Sequence, residues 1–310
     1  MYITESPLSR MKEKRNLSSR VSLTTDNSKR QLAPFVKWAG GKTSLLQHLI
    51  SYTPLHLTEY YEPFLGGGAL FLKICGHNIG FIAHLSDANE ELISAYRVIK
   101  ESPEELIHLL STLQAEYDSA GDKSAYFYKK REWLPSDRVE SAARLIFLNK
   151  TCFNGLYRVN SKGEFNVPFG RYKKPRILNS ENIRAVSHVL RNTKAELCGA
   201  DYKDALVGCK RDDFIYLDPP YQPLSETSNF TDYTPGGFSE QDQVELAEEF
   251  GKLVGRGCTV LLSNSDTAMT RYLYHDFEIR NVIANRPINS VGTGRKGYKE
   301  LIVIGRPRKI

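Results

Sequence analysis

The chain has 310 residues, 41% hydrophobic and 25% charged, with a net charge of +6, proportions that exclude collagen-like, coiled-coil and wholly disordered classes and suit one large α/β core with an inserted module. Its five cysteines lack a C-x-x-C pair and its seven histidines lack H-E-x-x-H, so neither a disulfide framework nor a metal site is expected. No run of about eighteen apolar residues is present to span a bilayer, and no membrane partner is expected.

Residues 1–32 are polar, Ser/Thr-rich and mixed in charge; they read as a flexible tail without the apolar stretch of a secretory signal. Order is expected from Pro34, with a turn at Gly40-Gly41 leading into a helix from about Lys42 to Ile50. A strand over 59–64 runs into Gly66-Gly67-Gly68 and a helix over 69–74. A second short strand over 81–85 ends at Ser86-Asp87, before a helix over 89–100. This alternation predicts a doubly wound, Rossmann-like α/β sheet. From about 91 to 178 the pattern changes to helices (103–117, 138–149) and then to a basic segment rich in glycine and aromatics, as expected of an inserted, mostly helical domain. Strands return at 195–198, 214–217 and 259–263, with a helix over 240–254, and the segments 277–284 and 301–304 suit an antiparallel edge hairpin across the loop 285–300. The domains expected are therefore the tail 1–32, a discontinuous catalytic domain of 33–90 and 179–310, and a target-recognition domain of 91–178.

The most informative motif is Asp218-Pro219-Pro220-Tyr221, directly after the apolar strand 214–217, where open α/β sheets place ligands. An exocyclic amine of a nucleic-acid base is a poor nucleophile because its lone pair is conjugated into the ring. The Asp218 carboxylate and the Pro219 carbonyl would each accept one N–H and localise that pair for attack on a sulfonium methyl. Prolines have no N–H and a fixed φ, so the two carbonyls are expected to stand in a rigid array without intramolecular donors competing for them. Tyr221 would stack on an extruded base. The plain alternative is a proline turn after a strand.

Glu62-Pro63-Phe64-Leu65-Gly66-Gly67-Gly68 forms a loop whose glycines admit close approach of a ligand, and Asp87 ends the next strand, where a carboxylate can hold ribose hydroxyls. The order lacks the G-x-G-x-x-G phosphate fingerprint, which favours a nucleoside without a pyrophosphate, as S-adenosylmethionine is. Lys37-Trp38-Ala39-Gly40-Gly41-Lys42-Thr43 imitates a P-loop but has Val36 where the first glycine belongs, so an NTPase is not expected. Trp38 would flank the cofactor's adenine and Lys42 would meet its carboxylate. A buried Trp and a capping Lys are the plain reading. From Lys150 to Arg176 seven basic residues stand against one acidic residue, as much net charge as the whole chain carries, and Lys173, Lys174 and Arg176 suit phosphate contacts. The segment 222–238 is expected to be a mobile loop that closes over the ligands.

Taken together, KWAGGK at 37–42, EPFLGGGALF at 62–71, FNGLYRVNSKGEFNVPFGRYKKP at 153–175, DPPY at 218–221 and PLSETSNFTDY at 223–233 resemble the Dam-type adenine-N6 DNA methyltransferases (D12 class, alpha-group motif order) over about residues 33–306. The resemblance implies site-specific methylation of adenine N6 in GATC with S-adenosylmethionine as donor and base flipping. It implies cofactor contacts at Trp38, Lys42, Glu62, Phe64, Gly66, Asp87 and Asp218, with Asp218, Pro219 and Tyr221 serving the adenine. It further implies that Lys37 reads the outer guanine and Arg158 an inner guanine, that Leu156, Pro168 and Tyr172 complete the base contacts, and that Phe153 and Asn154 fill the space near the displaced base. The family often has Tyr where this chain has Phe153, which keeps the stacking surface and removes a hydroxyl. Double-stranded DNA is the expected partner of a cytoplasmic bacterial or phage enzyme acting as a monomer, with a weak dimer on DNA as the alternative. An N4-cytosine methyltransferase, or a DNA-binding module without catalysis, is the competing reading.

Overall fold

The computed structural model describes residues 32–38, 42, 45–221, 238–284 and 298–307. The turn at Gly40-Gly41, the PLSETSNFTDY segment and nearly all of the expected tail and of the loops 222–238 and 285–300 lie outside them.

In chain order the elements are α1 (Leu46–Tyr52), β1 (Glu59–Glu62), α2 (Ala69–Cys75), β2 (Ile82–Asp87), α3 (Glu90–Glu101), α4 (Pro103–Ser119), α5 (Lys123–Arg131), α6 (Arg138–Thr151), a 3-10 turn (Phe153–Gly155), α7 (Ser180–Asn192), β3 (Glu196–Gly199), α8 (Tyr202–Ala205), β4 (Phe214–Leu217), α9 (Glu240–Arg256), β5 (Thr259–Ser265), α10 (Ala268–Leu273), β6 (Glu278–Ala284) and β7 (Tyr298–Gly305). The strands form one sheet in the order β3-β2-β1-β4-β5-β7-β6. β1 to β5 are mutually parallel, and β7 runs antiparallel between β5 and the edge strand β6. The fold is the expected Rossmann-like α/β sheet with an antiparallel edge hairpin.

Strand side chains alternate between two buried layers. Tyr60, Phe214, Tyr216 and Leu261 join the core beneath the α1–α7 helices, while Tyr61, Ile215, Leu217, Val260 and Leu262 join the core beneath α8 and α9. Burial on both faces is why these strands read as continuous apolar runs rather than as an alternation. Helix starts follow side-chain capping: Asn89, Asp122, Asp137 and Asn179 each accept from the first turn of α3, α5, α6 and α7, and Ser239 with Asp242 makes a capping box on α9.

The helix expected from Lys42 begins only at Leu46. The first strand stops at Glu62, because Pro63 has no N–H to continue the ladder. Two longer helices were not anticipated. α5 buries a single residue, Phe127, and so shows no apolar period, whereas α7 carries its stripe at Ile183, Val186, Val189 and Leu190 behind the Asn179 cap. α3 belongs to the sheet as much as to the helical insertion, since Arg97 donates to the Leu197 carbonyl and Lys100 to that of Ala195, along β3. The sheet order reverses between β1 and β4, and ligand sites of open α/β sheets lie at the carboxyl ends of strands at such a point. Glu62-Pro63-Phe64 leaves one of those ends and Asp218-Pro219-Pro220-Tyr221 the other.

Candidate active site and nucleic-acid interface

Asp218 is the centre of the site. Its Oδ1 accepts from Lys42 Nζ at 2.8 Å and from Ser263 Oγ at 2.7 Å, and that hydroxyl lies 2.9 Å from the Tyr216 phenol. Burial raises the Asp218 carboxyl above the usual range against the pull of Lys42 and Ser263. Burial acts on Lys42 in the opposite sense, but the charges of Asp218, Tyr221 and Glu300 outweigh it and hold the ammonium protonated well above the ordinary lysine range. The same ammonium sits 4.2 Å over the Tyr221 ring.

The turn itself is pinned by a chain of amides. Asn264 donates to Gln243 Oε1 at 3.0 Å, and Gln243 Nε2 donates to the Pro220 carbonyl at 3.0 Å. This corrects the expectation that both proline carbonyls are free of intramolecular donors: α9 supplies one for Pro220. Among the described residues no hydrogen bond to the Pro219 carbonyl is found.

Next to this turn lies the glycine loop. Asp87, the last residue of β2, accepts from Gly66 N at 2.8 Å and from Asn89 N at 2.9 Å, and burial raises its carboxyl pKa. Gly66 has φ +48°, and a Cβ there would come 2.7 Å from Trp38 Cδ1, so indole and backbone make a contact that only glycine permits. Glu62 accepts from the Tyr60 phenol at 2.8 Å, and burial, reinforced by Asp218 and Asp87, pushes its pKa up to about 8. Phe64 turns to the other face of the sheet, stacked on Tyr202 at 5.3 Å and edge-on to Phe238. Three carboxyls, Glu62 buried and Asp87 and Asp218 half-buried, and the buried Lys42 thus surround the strand ends. With Glu62 protonated, the Asp87 and Asp218 carboxylates still outweigh the Lys42 ammonium, and the site suits a ligand with ribose hydroxyls and a net positive charge, as S-adenosylmethionine has, better than a pyrophosphate.

Lys37 starts the second half of the surface. Its ammonium lies 5.0 Å over the Tyr172 ring and its stem rests on Gly155. The turn at Phe153, Asn154 and Gly155 places Asn154 at φ 56° and leaves Phe153 half exposed. Phe153 N–H donates to the Pro168 carbonyl at 2.8 Å and Gly170 N–H to that of Thr151 at 2.9 Å, so the 168–172 segment is tied to the turn. Arg158 is exposed on an adjoining ribbon closed by the Val159–Phe165 bridge, with its Nε donating to Asn166 Oδ1 at 2.7 Å. Lys173 and Lys174 are exposed beyond it, and Leu156 is partly buried beneath. Arg176, in contrast, turns back onto Asn179 Oδ1 at 3.0 Å. It lines a cleft with Lys150, whose pKa is lowered to about 8 by burial and then by Lys37 and Arg176.

One contact joins the halves. Trp38 stacks on Tyr157 at 5.2 Å, and Tyr157, bonded to Glu91 at 2.6 Å, immediately precedes Arg158. Sequence reasoning missed Tyr157, Ser263, Gln243 and Asn149. Ser263 had a signal, the polar run Ser263-Asn264-Ser265 closing an apolar strand; the others are visible only through long-range contacts. Among the described residues no group of three His, Cys, Asp or Glu could hold a metal, and no helix is long and apolar enough to cross a membrane.

The family model of the D12 class N6 adenine-specific DNA methyltransferases matches residues 38–288. The chain is 42% identical over 285 residues to the type II methyltransferase M1.LlaDCHI of Lactococcus lactis subsp. cremoris, covering 89% of this chain and 96% of the relative. It is 42% identical over 288 residues to the type II methyltransferase M.MjaIII of Methanocaldococcus jannaschii, covering 88% and 99%. It is also similar to the DNA adenine methylase of Escherichia coli K12, at 36% over 275 residues, covering 88% and 95%.

Proposed function

This chain belongs to the D12 class of N6 adenine-specific DNA methyltransferases, and on that premise we propose that it methylates the adenine of GATC in duplex DNA, after flipping that base, with S-adenosylmethionine as donor. The observation that carries the reading is the Asp218 carboxylate, fixed by Lys42 and Ser263 at the end of β4 with the Tyr221 ring beside it. S-adenosylmethionine, when bound, supplies an electrophilic methyl on a sulfonium. Asp218 and the Pro219 carbonyl accept the two N–H groups of adenine N6 and localise its lone pair. Tyr221 offers its face to the extruded base, and for this Lys42 must leave that face; the carboxylate of the donor's amino-acid end is the counter-charge it would take up. Asp87 holds the ribose hydroxyls, Trp38 flanks the adenosine, Gly66 admits its close approach, Glu62 presents a carboxyl that stays protonated near neutral pH to the donor's polar groups, and Phe64 packs the loop from beneath.

On the DNA side, Lys37 and Arg158 suit guanine O6 and N7, and Leu156, Pro168 and Tyr172 suit apolar contacts with neighbouring bases. Phe153 and Asn154 fill the space left by the flipped base, while Lys173 and Lys174 bind phosphates. We assign the target-recognition domain to 91–178 and the catalytic domain to 33–90 and 179–310, acting as a monomer in the cytoplasm. Methylation of a random-sequence duplex library with labelled donor tests this: 6-methyladenine within GATC is expected. A different flanking sequence would overturn the site, and absence of 6-methyladenine the whole reading.

A further inference from the structure

Two buried asparagines hold the segment that carries Lys37. Asn182 of α7 accepts from Ala33 N–H at 3.1 Å and donates to the Ala33 carbonyl at 2.8 Å. Asn149 of α6 accepts from Lys37 N–H at 2.8 Å and donates to the Lys37 carbonyl at 2.8 Å. Each primary amide therefore pairs with backbone as a neighbouring strand would. Asn149 does one thing more: its Nδ2 also donates to the Gly155 carbonyl at 3.0 Å. A single side chain with 0% exposure thus joins Lys37 to the turn of Phe153, Asn154 and Leu156.

Packing alone does not call for an amide here. Asn149 follows Ile146, Phe147 and Leu148 in the last turns of α6, all fully buried, and asparagine is a poor residue for a helix interior. What needs its donors and acceptor is the backbone of the two DNA-facing segments. Fit across that joint is close, since a Cβ on Gly155 would lie 2.5 Å from Lys37 Cδ.

We infer that Asn149 is a specificity-determining positioning residue, which sets the reach of Lys37 and the register of the 153–156 turn against the same stretch of bases. The inference rests on the reading that Lys37 contacts a base. Loss of the amide lets the two segments shift independently, so a wrong base pair opposite Lys37 is penalised less, while Asp218 and its partners stay in place.

Single-turnover methylation of the preferred duplex, and of duplexes substituted singly at each position, tests it with Asn149→Leu, Lys37→Ala and Asn182→Leu. Asn149→Leu is expected to reduce discrimination about tenfold at the position that Lys37→Ala also flattens, and to slow the preferred duplex much less. Asn182→Leu, which removes the clamp that does not reach the turn, is expected to lower the Tm but to keep the discrimination profile. An equal slowing of Asn149→Leu on every duplex, or a profile identical to that of Asn182→Leu, overturns the inference. If Asn149→Leu does not fold, Gly155→Ala displaces Lys37 without removing the amide, and the same position must lose discrimination. If Lys37→Ala flattens no position, the assignment of Lys37 falls and the inference with it. If Lys37→Ala flattens one and Asn149→Leu none, only the inference falls.

Discussion

The Lys42 ammonium lies 2.8 Å from Asp218 Oδ1 and covers the face of the Tyr221 ring, so the cation that fixes the carboxylate proposed as acceptor also stands over the ring proposed to stack on the base. Lys42 comes from the segment before α1 and Asp218 from the end of β4, on either side of the helical insertion.

Because Lys42 opposes the effect of burial on Asp218, Lys42→Met should raise the Asp218 pKa further. On the proposed mechanism transfer requires the ionised carboxylate, so the acidic limb of the pH–rate profile is expected to move to higher pH and the KM for the methyl donor to rise. A profile superimposable on that of the unmodified protein contradicts this arrangement.

Asp218→Ala should abolish transfer, a loss of at least about 10²-fold, and weaken donor binding. It also strands a buried ammonium without this partner, at a cost on the order of 3 kcal/mol, which denaturant unfolding would register. Combining Asp218→Ala with Lys42→Met should recover much of that stability and none of the activity.

Glu62 gives a stability signature with a definite sign. Its pKa rises from 4.5 in the unfolded chain to about 8 in the folded protein, so the folded state holds a proton that the unfolded state has released. Its stabilising contribution is complete below about pH 4.5 and falls as pH rises towards 8, by about 1.4 kcal/mol per unit. Glu62→Gln should lack this slope and gain relative to the unmodified protein between pH 6 and 8; parallel stability curves would argue for an ionised Glu62.

Arg158→Ala should lose about 1–3 kcal/mol of discrimination at one base pair. Lys173→Ala should instead weaken binding to all duplexes alike and reduce the salt dependence of log K by about 1. Titrations at several salt concentrations separate the two behaviours, and a sequence-selective loss from Lys173→Ala would contradict its phosphate role.

The α/β alternation, the β4 strand and the residues at its end were legible in the sequence because local signals create them: apolar runs, glycine turns, a proline pair, capping side chains. Motif order alone was enough to bring the glycine loop and the Asp218 turn to one sheet edge, since parallel strands must deliver their carboxyl ends together. Tertiary structure alone decided which donor meets which acceptor. That Lys42 pairs with Asp218, that Gln243 occupies the Pro220 carbonyl, that Trp38 leans on Tyr157 and that Asn149 holds Lys37 are contacts between segments distant in the chain. No period or propensity encodes them, because such a bond exists only once the packed core has brought two buried polar groups face to face and left them no water to choose instead.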